Sequence, residues 1–572
     1  MFDMMMNSFS NSLRHPDKLF SGFRLLLIGI GFMFCVSTSA QFIINGIQPK
    51  YDKRTHSFLV AIPQSYWGQD YHATLSLTTN SSWQNAWIDG QPLPQAVTFK
   101  NINPDNVYTI RAFTDGEYTD YTLAFTYLPI LQLTGNFNND YSLGGVSLQM
   151  PGEAQQTMKA NIKWRGGTSN AEDRHKKNYK IQFVDDKGVT KDYSFFSLRS
   201  DDDWILDAGQ VDMFRLRNLI ASKLWNDFAT QPYYASATSG VHTASRGEVV
   251  EVFLNDEYQG IYNFCEPIDR KQLKLKKYDE NTSQIHGGLW KATGWGYSLF
   301  WDIPETMYDN TQPTWNVFEL KYPKIEDVCP SDYSSLYDAI CFVSDSNNVY
   351  FAEEIDKYID IPVYIDYYLF VNLLNAYDLC GKNLYWAVYD KQQSRKITLA
   401  LWDMDSTVGQ NFTNDSIPDY VAYDYAILNT TNIGLRLLET DADGYKQKVM
   451  NRYFELRNTY FSLNYLTNTY RYYYDLMKDS GAAAREEQRW SGDSDIAFLT
   501  LNFDKEYTYI IDWIEHRLQY LDQYFSNDLP QSGIHAAIND AVINRRYTIS
   551  GMQVNPSYKG IVIIKGKKYF VK

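Results

Sequence analysis

The stretch that decides this chain is NAYDLCGKNLYWAVYDKQQSRKITLALWDMDSTVG, residues 375–409. It places Asp378 five residues before Asn383, then two strand-like runs, then Asp403 and Asp405. A phosphoryl-transfer site needs groups in that order. One carboxylate takes the proton of a hydroxyl nucleophile, while an amide and further carboxylates hold the divalent ions that neutralise a nucleotide's phosphates. The flanking pattern agrees. YIDYYLFVNLLNAYD is apolar almost all round and predicts a buried helix. Asp360 can cap that helix, with Pro362 in its first turn. NLYWAVYD and KITLALWDMD predict two strands joined by a polar hairpin at Lys391–Arg395.

The whole chain has 572 residues, too many for one ordinary domain. It is 44% hydrophobic and 21% charged, the balance of a globular protein. A net charge of −15 argues against nucleic acid as a partner. The N-terminus predicts a signal peptide over 1–40. Arg14, Lys18 and Arg24 precede a 12-residue apolar run, Leu25–Val36, and small residues follow to Ala40. That run is too short to span a bilayer comfortably, so no transmembrane span is expected in the mature chain. Four cysteines follow it: Cys265, Cys329, Cys341 and Cys380. They lack CxxC spacing. A Cys329–Cys341 bridge and buried free thiols both fit.

Residues 41–127 alternate in short runs (FLVAI, ATLSLTT, YTIRAF, YTLAFTY) broken by Asp89-Gly90 and Asp115-Gly116, which predicts a small immunoglobulin-like β-sandwich. From 128 strands dominate, giving a mixed sheet. WILDAGQVDMFRLRNLIASKLWNDF is read as turning helical after Asp203. EVVEVFLNDEYQGIYNFCEPI predicts a hairpin turning at Asn255–Glu257. From about Ala352 to 527 the chain is mostly helical. After Pro530 it becomes basic, with no Asp or Glu beyond Asp540. Residues 533–572 predict a short β tail that resembles the C-terminal sorting tails of some surface proteins, implying attachment to the outer surface.

The order of helix, Asp378, Asn383, hairpin and Asp403 is similar to that of the C-terminal lobe of protein kinases. With WRGGTSN (164–170), KKNYKIQF (176–183), WILDAGQVDMFRLRN (204–218), EVFLNDEYQGIYNFCEPIDR (251–270) and LKYP (320–323), the chain resembles the CotH kinase family over roughly 128–525. The resemblance implies an α+β fold with an atypical, two-lobed kinase-like domain. It implies a secreted or cell-surface enzyme moving the ATP γ-phosphoryl group to a protein Ser/Thr hydroxyl with Mg²⁺ or Mn²⁺. Asp378 is then the catalytic base, and Asn383, Asp403 and Asp405 are metal ligands. Nucleotide binding falls to Arg165, Gly166 and Gly167, to Lys177 as the family's phosphate-binding lysine, to Lys180 on the same strand, and to Glu266 at the place of a hinge. The segment 211–228 has no Glu to pair with such a lysine, only Arg217 and Asn218. Two other readings stand beside this one: a metal-dependent glycosyltransferase using the Asp403-Met404-Asp405 pair, and a non-catalytic surface protein that binds glycan or matrix.

Overall fold

A computed structural model describes residues 41–413 and 417–527, and the backbone of four short strands between 546 and 571. The proposed signal peptide lies outside the described residues.

The N-terminal residues form two sheets around a shared core. Phe42–Ile44, Tyr71–Leu77 and Gln95–Phe99 make a three-stranded sheet. A six-stranded sheet is built around Ser57–Ala61, Glu117–Thr126 and Tyr108–Thr114. Tyr71, Ala73 and Leu75 point inward at every second position of their strand, as period-2 alternation requires. Phe42, Phe58, Trp83, Phe99 and Phe125 fill the space between the sheets. Asp115 (φ 50°) and Gly116 (φ 91°) both take positive φ, the geometry that joins two right-twisted strands in a two-residue turn. This unit is fastened to the strands beyond residue 128. The Lys50 ammonium donates to Gln132 Oε1 at 2.9 Å, Ser147 Oγ at 2.6 Å and Gln155 Oε1 at 2.7 Å.

The strands after 128 close into a seven-stranded barrel instead of an open mixed sheet. In order it runs Ile130–Thr134, Ser142–Gln149, Gln156–Arg165, Asn178–Val184, Asp203–Asp207, Glu257–Cys265 and Gly247–Leu254. Parallel pairing of Ile130–Thr134 with Gly247–Leu254 closes it. Local periodicity reports strands but carries no information on partners so distant in the chain. Ile162, Ile181, Phe183, Trp204 and Phe264 fill the interior. Asp203–Asp207 is one of these strands, paired on both edges, and the helix read as following Asp203 begins only at Arg217 and ends at Phe228. Burial of Trp204, Ile205 and Leu206 within the sheet outweighs any helical preference there.

Beyond the barrel lies a five-stranded sheet ordered Thr314–Trp315, Phe318–Tyr322, Gly288–Ala292, Leu384–Val388 and Thr398–Leu401. Ile361–Leu374 is the buried helix, with every residue from Val363 to Leu374 shielded. Asp360 stands at its N-cap position, yet its carboxylate accepts from the Tyr233 N–H at 2.9 Å rather than from the helix. Helices Asn432–Thr440, Tyr445–Arg457, Leu463–Asp479, Ala482–Trp490 and Phe503–Asn527 complete this part. The chain is therefore mixed α+β, with an all-β N-terminal region and a helical C-terminal part. Among the described residues the strands between 546 and 571 pair only with one another. Cys265, Cys329, Cys341 and Cys380 are all unbridged thiols. Among the described residues no helix is long and apolar enough to cross a membrane.

Candidate active site

Asp378 is placed by the way the buried helix stops. Asn375 takes a left-handed conformation (φ 52°) and ends the helix, and one turn of 3₁₀ helix, Tyr377–Cys380, follows. Asn is one of the few residues that visit this region cheaply. The Lys382 ammonium meets Asp378 Oδ2 at 2.8 Å. Burial raises the Asp378 carboxyl above its ordinary value; Lys382 opposes this and Asp403 adds to it. Burial pulls the Lys382 ammonium down, but Asp378 outweighs it, with Asp403 and Asp405 adding, so the net shift is upward.

Asn383 is also left-handed (φ 62°), and its backbone is held at both sides. Its N–H donates to Ala292 O at 2.9 Å, and its carbonyl accepts from the Trp402 N–H at 3.1 Å. Asp403, a third left-handed residue (φ 63°), follows the strand Thr398–Leu401. The strand pair Leu384–Val388 and Thr398–Leu401 thus anchors Asn383 and Asp403 at one end. Among the described residues the side chains of Asn383, Asp403 and Asp405 make no hydrogen bond or ion pair.

Asp405 stands in a field of like charge. Burial is the largest cause of its strongly raised carboxyl, followed by Asp403, Asp378, Asp207 and Asp212. Asp207, at the end of a barrel strand, is raised by burial first and by Asp403, while Asn218 and Arg165 oppose. The structure therefore brings Asp378, Asp403 and Asp405 together and adds Asp207 and Asp212, to which the sequence reading gave no role. Their oxygens do not converge as a preformed cage. Among the described residues, only His175–Asp493–Asp495 and Asp192–Asp201–Asp202 place three candidate ligand atoms within 4.8 Å of one another. In each group protein donors already engage the buried acid. Asp495 accepts from the backbone N–H groups of His175 and Lys176, and Asp201 meets Arg199 and Lys271. An open acidic array suits Mg²⁺, which keeps waters and phosphate oxygens in its shell and takes only one or two protein carboxylates.

The nucleotide-side residues divide. Arg165 ends the barrel strand Gln156–Arg165, and its guanidinium lies 4.9 Å over the Trp402 ring, next to Asp403. Gly166 turns the chain with φ 115°, and a Cβ there would meet Ser169 Oγ at 2.1 Å, so the position requires glycine. Gly167 has open space around it. Lys177 points elsewhere: its ammonium donates to the Ala171 carbonyl and sits 4.4 Å over the Trp164 ring. Its carboxylate neighbours are Asp495, Asp173 and Glu172 rather than the acidic array. Lys180 pairs with Asp203 at 3.3 Å. Glu266 is engaged at every polar group. Its carboxylate meets Arg246 at 2.7 Å and the Arg199 N–H at 2.7 Å, its N–H donates to Arg246 O, and its carbonyl accepts from Ser245 Oγ.

A buried Lys–Glu pair does exist, but between other residues. Lys176 Nζ meets Glu486 Oε1 at 2.8 Å, and Arg215 joins at 2.7 Å. Glu486 lies on the helix Ala482–Trp490, some 300 residues on, where no local pattern connects it to Lys176. Arg217 is likewise structural, buried between Asp212 and Glu506.

Carboxylates facing cations across the junction of barrel and sheet make an arrangement suited to a metal-bound phosphoryl donor. The model of the CotH kinase protein family matches residues 162–521, well over half of the chain, and the chain belongs to that family. No curated protein matches it. Membership indicates a kinase-like enzyme, and with it ATP and a divalent metal in general terms.

Proposed function

We propose that this protein is a metal-dependent kinase that moves the γ-phosphoryl group of ATP to a Ser or Thr hydroxyl of a protein. The observation that carries the reading is placement: one strand pair sets Asn383 and Asp403 at its end, Asn218 ties the Met404 N–H to Asp207, and Asp378 stands paired with Lys382 beside them. So many half-buried like charges are costly unless a cation answers them. The residues present fit a divalent ion: Asp403, Asp405 and the Asn383 amide are unengaged oxygen donors. When bound, the ion would neutralise phosphate charge as it develops.

Asp378 serves as the base. Burial makes its carboxylate a better proton acceptor, in the direction that brings a general base closer to its working pH. As the acceptor oxygen bonds to the γ-phosphorus, the bond to the bridging oxygen of ADP breaks. The hydroxyl proton passes to Asp378. Lys382, 2.8 Å from Asp378, orients the base and adds positive charge beside the transferred group. The sequence reading passed over Lys382, although its place directly before Asn383 was visible.

The signal-like N-terminus supports a secreted or surface location, and the basic tail supports attachment there. Transfer would then occur before or during export, where ATP is present. Incubation with γ-labelled ATP and Mn²⁺ tests the assignment. Label on Ser or Thr that disappears in Asp378→Ala is expected. Transfer from a sugar nucleotide instead would make it a glycosyltransferase. Glycan binding without nucleotide binding would make it a platform.

A further inference from the structure

Lys291 lies on the strand Gly288–Ala292, at the centre of the five-stranded sheet. It is opposite Tyr385 in the neighbouring strand, and its ammonium lies 5.8 Å from that ring. Among the described residues this ammonium makes no hydrogen bond and no ion pair, and neither does the Arg165 guanidinium. An ammonium withdrawn from water without a partner is expensive. Burial brings Lys291 down to about 8; Asp403 opposes, and Arg165 and Lys321 lower it further. Lys291 thus feels Asp403 and Arg165 at once without touching either. Arg165 in turn acts on Asp207 and rests against Trp402.

The Asn383 N–H bonds to the carbonyl of Ala292, the residue after Lys291, and Trp402, under Arg165, precedes Asp403, so two uncommitted cations stand beside the end of the strand pair that carries the uncommitted Asp403. A simple anion there would be repelled by the acids, and a metal ion held by the acids would leave the cations unanswered. A polyphosphate carrying a divalent ion satisfies both, with phosphate oxygens on Lys291 and Arg165 and the metal on the acids. The other lysines of the region are already committed, Lys177 to the Ala171 carbonyl, Lys180 to Asp203 and Lys321 to Glu319.

We propose that Lys291, together with Arg165, binds the polyphosphate of the nucleotide, in the role that the sequence pattern assigned to Lys177. This rests on the kinase reading for the identity of the nucleotide but not for the existence of the phosphate site.

The test is calorimetric binding of inorganic tripolyphosphate and of ATP, each with Mn²⁺, to the whole chain. Wild type should bind both, and neither without the metal. Lys291→Met should bind both about 10- to 100-fold more weakly, the loss expected for a charge-assisted contact. Lys291→Arg should recover part of the affinity, and Lys177→Met should stay within about twofold of wild type. Unliganded Lys291→Met should melt no lower than wild type, because it removes a half-buried charge that has no partner. ATP binding that is unchanged in Lys291→Met would overturn the proposal and leave the kinase reading standing. Lys291-dependent tripolyphosphate binding without ATP binding would do the reverse. Binding of neither would overturn both.

Discussion

The side-chain carbonyl of Asn218 accepts a hydrogen bond from the N–H of Met404 at 3.1 Å, and Met404 is the residue between Asp403 and Asp405. The amide of the same Asn218 donates to Asp207 Oδ2 at 2.7 Å. One side chain on the first turn of the helix Arg217–Phe228 therefore sets the spacing between the barrel's carboxylate and the two that follow the sheet. Asn218→Ala should leave the Met404 N–H and the Asp207 carboxylate short of a partner. The expected cost is about 1–3 kcal/mol in stability. Mn²⁺ binding should weaken as well, although no proposed ligand has changed. Calorimetric Mn²⁺ titration beside a melting curve checks this; a melting change with unaltered Mn²⁺ affinity would confine Asn218 to a structural role.

Asp403→Asn should abolish metal-dependent nucleotide binding and spare the fold. Asp403 has φ 63°, a conformation that Asn adopts as readily as Asp, so the substitution removes charge without backbone strain. ATP titrated with Mn²⁺ against both proteins decides the matter. Equal affinities would remove Asp403 from the metal site.

The acidic array predicts an unusual pH dependence for the metal-free protein. Asp207, Asp378 and Asp405 all have carboxyls raised above their unfolded values. Between the unfolded value, near 4, and the raised folded values, the folded state holds protons that the unfolded chain has released. Stability from these groups is therefore lost as pH rises through that window. Asp405→Asn should flatten the slope and raise the melting temperature at pH 7. Saturating Mn²⁺ should stabilise wild type by about 2.7 kcal/mol at one hundred times Kd, and more at pH 7 than at pH 5, where protons compete. Melting in EDTA and in Mn²⁺ across that range measures both effects. A pH slope in metal-free Asp405→Asn identical to that of wild type would contradict the assigned shifts.

Deleting 533–572 should leave nucleotide binding and the melting of the rest unchanged while altering where the protein resides. Among the described residues the tail's strands pair with one another and with no strand of the barrel or the other sheets, so removal should expose no partner edge there. Surface exposure and ATP binding of the truncated protein are the measurements. Loss of folding on truncation would make the tail structural.

What the sequence revealed came from local pattern. The helix Ile361–Leu374 is announced by an unbroken apolar run, and the strands carrying Asn383 and Asp403 by their alternation and polar hairpin. Left-handed residues at Asn375, Asn383 and Asp403 are of the types that tolerate that conformation, so the Asp and Asn letters mark turns as well as chemistry. Partnership across distance was not legible. Barrel closure, the Lys176–Glu486 pair and the field at Asp405 each join residues whose proximity only the tertiary fold creates. Lys177 misled because the KKNYKI run offers two adjacent lysines. Both lie just before the strand Asn178–Val184, and local pattern does not say which partners their ammonium groups reach. Lys291 left one faint trace: a lone charge in the apolar strand GLWKA, where a lysine needs a reason to be.

Asp378 and Asn383 together give the sharpest prediction. They lie five residues apart, one inside a 3₁₀ turn and the other directly before a strand, and each is held by different partners. If Asp378 is the base, Asp378→Ala should lower turnover about 10²- to 10⁴-fold with little change in ATP affinity, because it acts on the acceptor hydroxyl. Lys382 loses its 2.8 Å partner in that variant, so Asp378→Asn is the control that keeps the volume and removes only the basicity. Asn383→Ala should weaken Mn²⁺ binding as well as turnover, through loss of the amide oxygen. It also replaces a left-handed Asn, at a cost of about 1 kcal/mol in stability. Asn383→Gly relieves that strain while still removing the amide. The double variant should cost far less than the product of the two, since both act in one assembly. Modest losses of melting temperature in all variants, with transfer near wild type, would reduce Asp378 to a helix-end residue and Asn383 to a turn. The kinase assignment for this site would then fall, whatever the family.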